Sequence, residues 1–348
     1  GCIVLNNSGN GATIDGADET AKGLSADGNM MLVGGDISIT MSGTGGKGIK
    51  VDGAYQQGDP ATGEGPVLTV QTTGASFSGS GSSTSPWGFA PSGGGGRFPP
   101  GGGGGFPGGG ESSGSSAKAI KVMGAVNIYG GETTVNTATS GAEGLESKTS
   151  VNIAGGHHYF KCYDDCINSS GAITFDGGIT VCYSNGNDAV DSNYGRTGAI
   201  TIGNGVILAY STKGSPEEGL DCDNNSYISV TGNGYAISAG GAQGGGASSS
   251  TITGASQGYA FVTSSISYAT GRYYTLADAS GNNLITYSLD AALQSSLSFF
   301  TAKGMVKGNT YTLKYSTTAP TDCVEQWHGI FVGSTATGTT SVTTITAK

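Results

Sequence analysis

Short stretches in which every second residue is apolar recur along the first two thirds of the chain, as in "VNIY" (126–129), "ITFD" (173–176) and "ITIG" (200–203). Alternation over four to six residues predicts half-buried β-strands. A glycine pair follows or replaces the last polar position in "LVGGDISI", "IYGGETTV", "IAGGHHYF" and "FDGGITVC", and a second alternating run follows the pair. Glycine tolerates the tight corner that two consecutive short strands need.

The strand–glycine–strand unit repeats. Each unit ends in a motif with a small residue flanked by charged or polar ones, at Gly23, Gly48, Ala119, Gly144, Cys166, Ala189 and Gly219. Gly34, Gly130, Gly155 and Gly177 each open their pair 11 residues after such a residue. Most intervals are 22–30 residues, and the one long interval of 71 contains the Gly/Ser/Pro tract 78–115. That period is too short for a propeller blade, and the leucine-rich consensus is absent. It fits one coil of a parallel β-helix, with successive rungs about 4.8 Å apart. The period ends near residue 250. The runs "GYAFVTSSIS", "RYYTLADASGNNLITYSL" and "GNTYTLKYS" read instead as antiparallel strands, the middle one a hairpin turning at Ser280–Asn283. The expected organisation is therefore all-β: a parallel β-helix over 1–250, with an insertion at 78–115, and a C-terminal β cap or small antiparallel β domain over 251–348. In the insertion, Trp87, Phe89, Phe98 and Phe106 are the residues able to dock it on the rest of the chain.

Composition changes the picture in three ways. Among 348 residues, 25 are Asp or Glu and 15 are Lys or Arg, a net charge of −10 that disfavours nucleic acid as a partner. No run of apolar residues is long enough for a transmembrane helix. An acidic, Thr/Ser/Gly-rich chain suits a secreted or outer-surface protein. Gly1–Cys2 would suit a lipid-anchored terminus, and "CIVLN" suits a first strand equally well. The six cysteines, at 2, 162, 166, 182, 222 and 323, lack zinc-site spacing and read mainly as small buried residues, with one disulfide left open. His157, His158 and His328 fall into no hydrolase triad.

The few charges are placed in register. Immediately before the small residue stand Lys22, Lys47, Lys118, Glu143, Asp165, Asp188 and Glu218; two places after it stand Ser25, Lys50, Lys121, Glu146, Asn168, Asp191 and Asp221. Three basic units are followed by four acidic ones. Stacked carboxylates repel unless something neutralises them, and an all-oxygen set suits calcium rather than zinc or copper. The candidate sites are Glu143 with Asp164, Asp165 and Asn168; Asp165 with Asn187, Asp188 and Asp191; and Asp188 with Glu217, Glu218 and Asp221, with Asp223 nearby. Glu146 belongs to the same column. The basic ladder of Lys22, Lys47, Lys50, Lys118 and Lys121 is a candidate surface for an anionic polymer. Lys161, Tyr183 and Tyr210, each five places beyond the second glycine of the turn, form a candidate row for sugar rings.

The motifs "AKGLSADG", "GKGIKVDG", "AEGLESKTSVNIAGG", "DDCINSSGAITFDGG" and "NDAVDSN" resemble the repeats of the clostridial-type carbohydrate-binding β-helix family. That family is itself similar to the calcium-dependent pectate lyases of polysaccharide lyase family 9. The resemblance covers roughly residues 12–245. It implies a right-handed, pectate-lyase-like parallel β-helix, bound calcium, secretion, and binding of acidic plant polysaccharide such as polygalacturonate or pectin. Asp164, Asp165 and Asn168 match the lyases' "DDGxD"-like calcium motif, with Cys166 in place of Gly and Asn168 in place of Asp. Lyase chemistry needs a base, which in the related lyases is a lysine, and the resemblance leaves Lys161 and Lys213 as the candidates. Neither sits in a recognisable catalytic motif, so a binding protein is the leading reading. A lyase, or a structural surface protein with purely structural calcium, are the alternatives.

Overall fold

The computed structural model describes residues 1–15, 17–79, 114–241, 252, 254–336 and 340–348. The regular secondary structure of the described residues is nearly all β-strand, and most strands pair in parallel. One row holds seven short strands: Lys22–Ala26, Lys47–Val51, Lys118–Val122, Glu143–Ser147, Ile167–Ser169, Val190–Ser192 and Leu220–Asp221. A second, long sheet runs through Cys2–Asn7, Asp36–Met41, Val67–Thr72, Glu132–Thr137, Val151–Cys162, Ile173–Ser184, Val206–Ser211 and Tyr235–Gly240. Short strands at Met30–Leu32, Tyr55–Gln57 and Val126–Ile128 join it at Val151–Cys162.

The glycine pairs sit where these strands meet. Gly131, Gly156 and Gly178 have φ of 87°, 88° and 68°, a region that L side chains seldom enter. A Cβ on Gly155 would also lie 2.3 Å from the Tyr129 carbonyl oxygen of the preceding rung. Conformation and stacking therefore both require glycine there.

Equivalent residues stack. Leu24, Ile49, Ile120, Leu145, Ile167, Val190 and Leu220 form one register column of the seven-strand row. From Ile49 onward its members are buried in a core shared with Ile39, Val70, Val135 and Phe160 of the long sheet. Burying each such side chain stabilises the fold by about 1.5–3 kcal/mol.

The C-terminal unit does more than close an end. Leu293–Thr301 pairs antiparallel with Tyr235–Gly240 and with Tyr259–Tyr268, which covers the last parallel edge. A six-stranded antiparallel sheet follows, containing Tyr273–Ala277 hydrogen-bonded to Asn283–Tyr287 around the predicted turn. The Asp278 carboxylate accepts the Ser280 and Asn282 amides within that turn. This unit buries the outer face of the long sheet: Tyr159, Val181, Leu208 and Ile237, which are in register, pack with Tyr268, Tyr274, Tyr287 and Phe300. Strands 179–184 and 206–211 are therefore buried on both faces, whereas the burial of Glu132–Thr137 alternates.

All six cysteines are free thiols, four of them buried. The aromatic residues of the Gly-rich tract lie outside the described residues. The tract leaves and returns through an antiparallel neck, Phe77–Ser78 against Gly114–Ser115. Replacing residues 79–113 by a two-residue Asn-Gly turn, which suits a two-residue hairpin, should shift the melting temperature by no more than about 2 °C, equivalent to under about 1 kcal/mol. A larger drop in a thermal melt would show that the tract contributes to the fold.

Candidate functional site

The charged ladders lie on the seven-strand row. The register pairs Lys22 with Lys47, Lys118 and Glu143 in turn, and Ser25 with Lys50, Lys121, Glu146, Asn168, Asp191 and Asp221. Basic and acidic halves thus meet at one rung. Lys118 Nζ lies 2.5 Å from Glu143 and 3.5 Å from Glu146; Lys121 Nζ lies 3.1 Å from Glu146, and Lys148 also pairs with it. Burial alone would raise the Glu146 carboxyl, but the three lysines hold it well below the usual carboxylate range. Burial pushes Glu143 up to about 7, against the pull of Lys118.

This arrangement corrects part of the sequence reading. Lys118 is only 7 % exposed and Lys47 5 %, so neither offers its ammonium to a polymer. Lys47 donates to the Gly45 and Ser116 carbonyls at 2.8 and 2.5 Å and to Ser115 Oγ at 2.9 Å, tying the neck of the tract to the row. Burial pushes Lys47 down to about 7. Glu143 and Glu146, expected as metal ligands, pair here with lysines, and Oε2 of each is buried without a hydrogen-bond partner. Lys22 and Lys50 remain partly accessible beside Glu19 and Asp52, as does Lys121.

Beyond that rung the row is acidic. Asp165 is 2 % exposed and Asp188 7 %. Burial, and then Asp191 and Asp164, push Asp165 well above the carboxylate range. Burial, then Asp221, push Asp188 up to about 9 and Asp191 up to about 7. Burial likewise raises Asp164 and Glu217. Amides partly compensate: Asn168 Nδ2 donates to Asp165 Oδ2 at 2.8 Å and to Asp191 Oδ2 at 3.2 Å, and Asn193 Nδ2 donates to Asp191 at 2.8 Å. The Glu218 amide donates to Asp188. Asn187 bonds to Asp164, and the Asp223 amide donates to Asp221 Oδ1 at 2.9 Å, with Asp223 itself at φ 62°. Asp165 Oδ1 is buried with no partner. Among the described residues no three His, Cys, Asp or Glu side chains converge as a metal-binding group. What the row presents is a stack of oxygen donors whose ionisation burial and mutual repulsion oppose. Lys148 and Asn193, missed in the sequence, each follow a ladder acid by two places, the same-face spacing of a strand.

The second predicted row is also in register, Lys161 with Tyr183 and Tyr210, but it is not an open platform. Tyr183 and Tyr210 are 8 % and 1 % exposed and stack on each other at 4.8 Å beneath the C-terminal unit. The Asp290 amide donates to the Tyr210 hydroxyl at 3.2 Å. Burial of the outer face by a segment outside the repeat is why the pattern misled. Lys161 Nζ lies 5.4 Å from the centre of the Tyr183 ring. Lys213 is exposed, and its charge acts on Glu217 beside the acidic stack. No family model, curated protein or solved structure matches the chain. Among the described residues no helix is long and apolar enough to cross a membrane.

Proposed function

We propose that the chain winds as a right-handed parallel β-helix and serves as a secreted or surface-exposed, calcium-dependent binder of acidic polysaccharide of the polygalacturonate type. The observation that carries this reading is the carboxylate stack of Asp165, Asp188, Asp191 and Asp221, in which burial first, and then mutual repulsion, raises the affinity of Asp165, Asp188 and Asp191 for protons. Such a stack calls for a cation, and a hard oxygen-binding one fits the donors. Asp165 Oδ1 offers a buried oxygen without a partner, and Asn168 carries an amide oxygen as well as the nitrogen it now donates. The residues that would hold calcium are Asp165, Asn168, Asp188, Asp191, Asp221 and Asp223, with Asp164, Asn187, Glu217 and Glu218 at the same corners. Calcium there would bridge protein and uronate carboxylates, while Lys22, Lys50 and Lys121 would meet further uronates. The resemblance of the repeats to the clostridial-type carbohydrate-binding family points the same way. A lyase is the second reading, favoured by Lys213 beside Glu217, and an assay for unsaturated product absorbance separates it from a pure binder.

The binding test is retention on immobilised polygalacturonate. In low salt with calcium the protein should be retained, and chelator or 1 M salt should release it, since the Debye length falls from about 10 Å at 0.1 M to about 3 Å at 1 M. Methyl-esterified pectin should retain less, and Lys22→Gln with Lys50→Gln should weaken retention. Equal retention of esterified and free polymer would refute carboxylate recognition; no retention of either would leave calcium a structural role only.

A further inference from the structure

Where the C-terminal unit stops, the outer face of the long sheet changes from buried and apolar to exposed and polar. The step lies between Glu132–Thr137 and Val151–Cys162, with Glu132 in register with His157. The hairpin of Glu325–Trp327 and Ile330–Val332 forms the wall of this step. His157 Nε2 donates to Glu325 at 2.7 Å and ties the wall to the floor. At the hairpin tip His328 takes φ of 35°, followed by Gly329 at 87°. A left-handed backbone at a residue other than glycine costs free energy and persists where the surroundings enforce it.

That backbone lays the imidazole flat on Tyr159, with centroids 3.8 Å apart and planes at 7°. Tyr159 is held from below by its hydroxyl, which donates to Asp290 at 2.9 Å. The Trp327 ring stands at 79° to the imidazole, 4.6 Å away, and lies 5.3 Å from His157. Trp327 is half-buried, and its Nε1 is buried without an acceptor, so the exposed part of the indole is carbon. His328 is exposed on the face away from Tyr159. Burial pushes its pKa down, against the pull of Asp290 and Glu132. Two aromatic faces therefore meet at a corner, flanked by Glu325, which is bonded to His157, and by Glu132, whose charge acts on His328.

We propose that this corner is a second carbohydrate site, which takes an uncharged pyranose ring of a glycan. The C–H faces of the ring pack on Trp327 and His328, and its hydroxyls donate to Glu132 and Glu325. Aromatic surfaces supply most of the contact energy in such sites, and carboxylates accept strong hydrogen bonds from hydroxyls. The same carboxylates repel a uronate, so the corner differs in preference from the calcium stack and does not depend on it.

The test uses Trp327 as the reporter. In a Trp87→Phe background its emission should change saturably on titration with cello-oligosaccharides and at least threefold less readily with galacturonate oligomers. His328→Asn, which tolerates a left-handed backbone but lacks the ring, should abolish the response at an unchanged melting temperature. Should that variant lower the melting temperature, Glu132→Gln, on the exposed floor, must weaken the titration at least threefold. No response to neutral oligomers, a stronger response to uronates, or a response that survives these substitutions would overturn the site. Retention on polygalacturonate is read separately, so failure of the corner and failure of the calcium-dependent binding are distinguishable.

Discussion

In chelator, the protein should melt at a higher temperature at pH 5 than at pH 8. Asp188 has a folded pKa of about 9 against an ordinary 3.8, so between those values the folded state holds a proton that the unfolded state has released. Stability then falls as pH rises, by about 1.4 kcal/mol per unit. Over three units Asp188 alone accounts for about 4 kcal/mol. Asp191 and Glu143, both raised to about 7, act in the same direction up to that pH, and Asp165 acts in the same direction too. Three groups oppose them, one of them His328, which burial also pushes below its ordinary value. His158, buried and pushed down to about 4, contributes stability as pH rises from 4 to 6.5, and Lys47, at about 7, does so from 7 to 10.5. Within the window these offset about 2 and 1.4 kcal/mol, so the carboxylates win. Glu146, held low by its lysines, acts only below the window. At about 2–4 °C per kcal/mol, the difference should be on the order of 10 °C.

Calcium should remove this slope. A cation that binds only the folded protein stabilises by about 2.7 kcal/mol at a hundredfold excess over Kd. It also brings a positive charge to the ionised carboxylates, so the gain should be larger at pH 8 than at pH 5. Asp188→Asn, which keeps the shape and removes the ionisation, should flatten the curve in chelator. Melting temperatures in chelator that are the same at pH 5 and pH 8 would show that the stack carries no excess charge and would remove the reason to place calcium there.

The charge register was readable before the structure because a parallel stack makes equivalent positions neighbours. Counting from each small residue was enough to place Lys50, Lys121, Glu146, Asn168, Asp191 and Asp221 in one column. Spacing along a repeat says who the neighbours are but not how deep they lie. Lys47 and Lys118 looked like surface lysines because nothing in the period reveals that the neck of the tract and the first acidic rung enclose them. Tyr183 and Tyr210 looked like a platform because the segment covering them lies outside the repeat. The continuous apolar run "VILAY" at 206–210 was the local sign, since a strand with one wet face alternates. The corner of Trp327, His328 and His157 had no sequence signal, because it joins residues about 170 positions apart, as in the His157–Glu325 pair, across two kinds of sheet.

Lys118→Met should destabilise the protein by about 3–5 kcal/mol, the loss usual when one partner of a buried ion pair is removed. Lys118 serves Glu143 and Glu146 together. Without it, Glu143 must stay protonated, while Glu146 keeps only Lys121 and Lys148. The cost comes from the charge left behind rather than from the worth of the pair, which a double-mutant cycle can show. Lys118→Met combined with Glu143→Gln should recover much of the loss, because a buried pair replaced as a pair is close to neutral. Lys22→Met is the contrast. It removes a cation from the same register column, but its partner Glu19 is exposed and the pair lies open to solvent at 3.4 Å, so the change should stay under about 1 kcal/mol. Denaturant midpoints at constant slope measure all three. Equal effects of Lys118→Met and Lys22→Met would mean that the rung between the basic and acidic halves is hydrated, and that Lys118 does not stand in the interior as the tethered counter-ion of that rung.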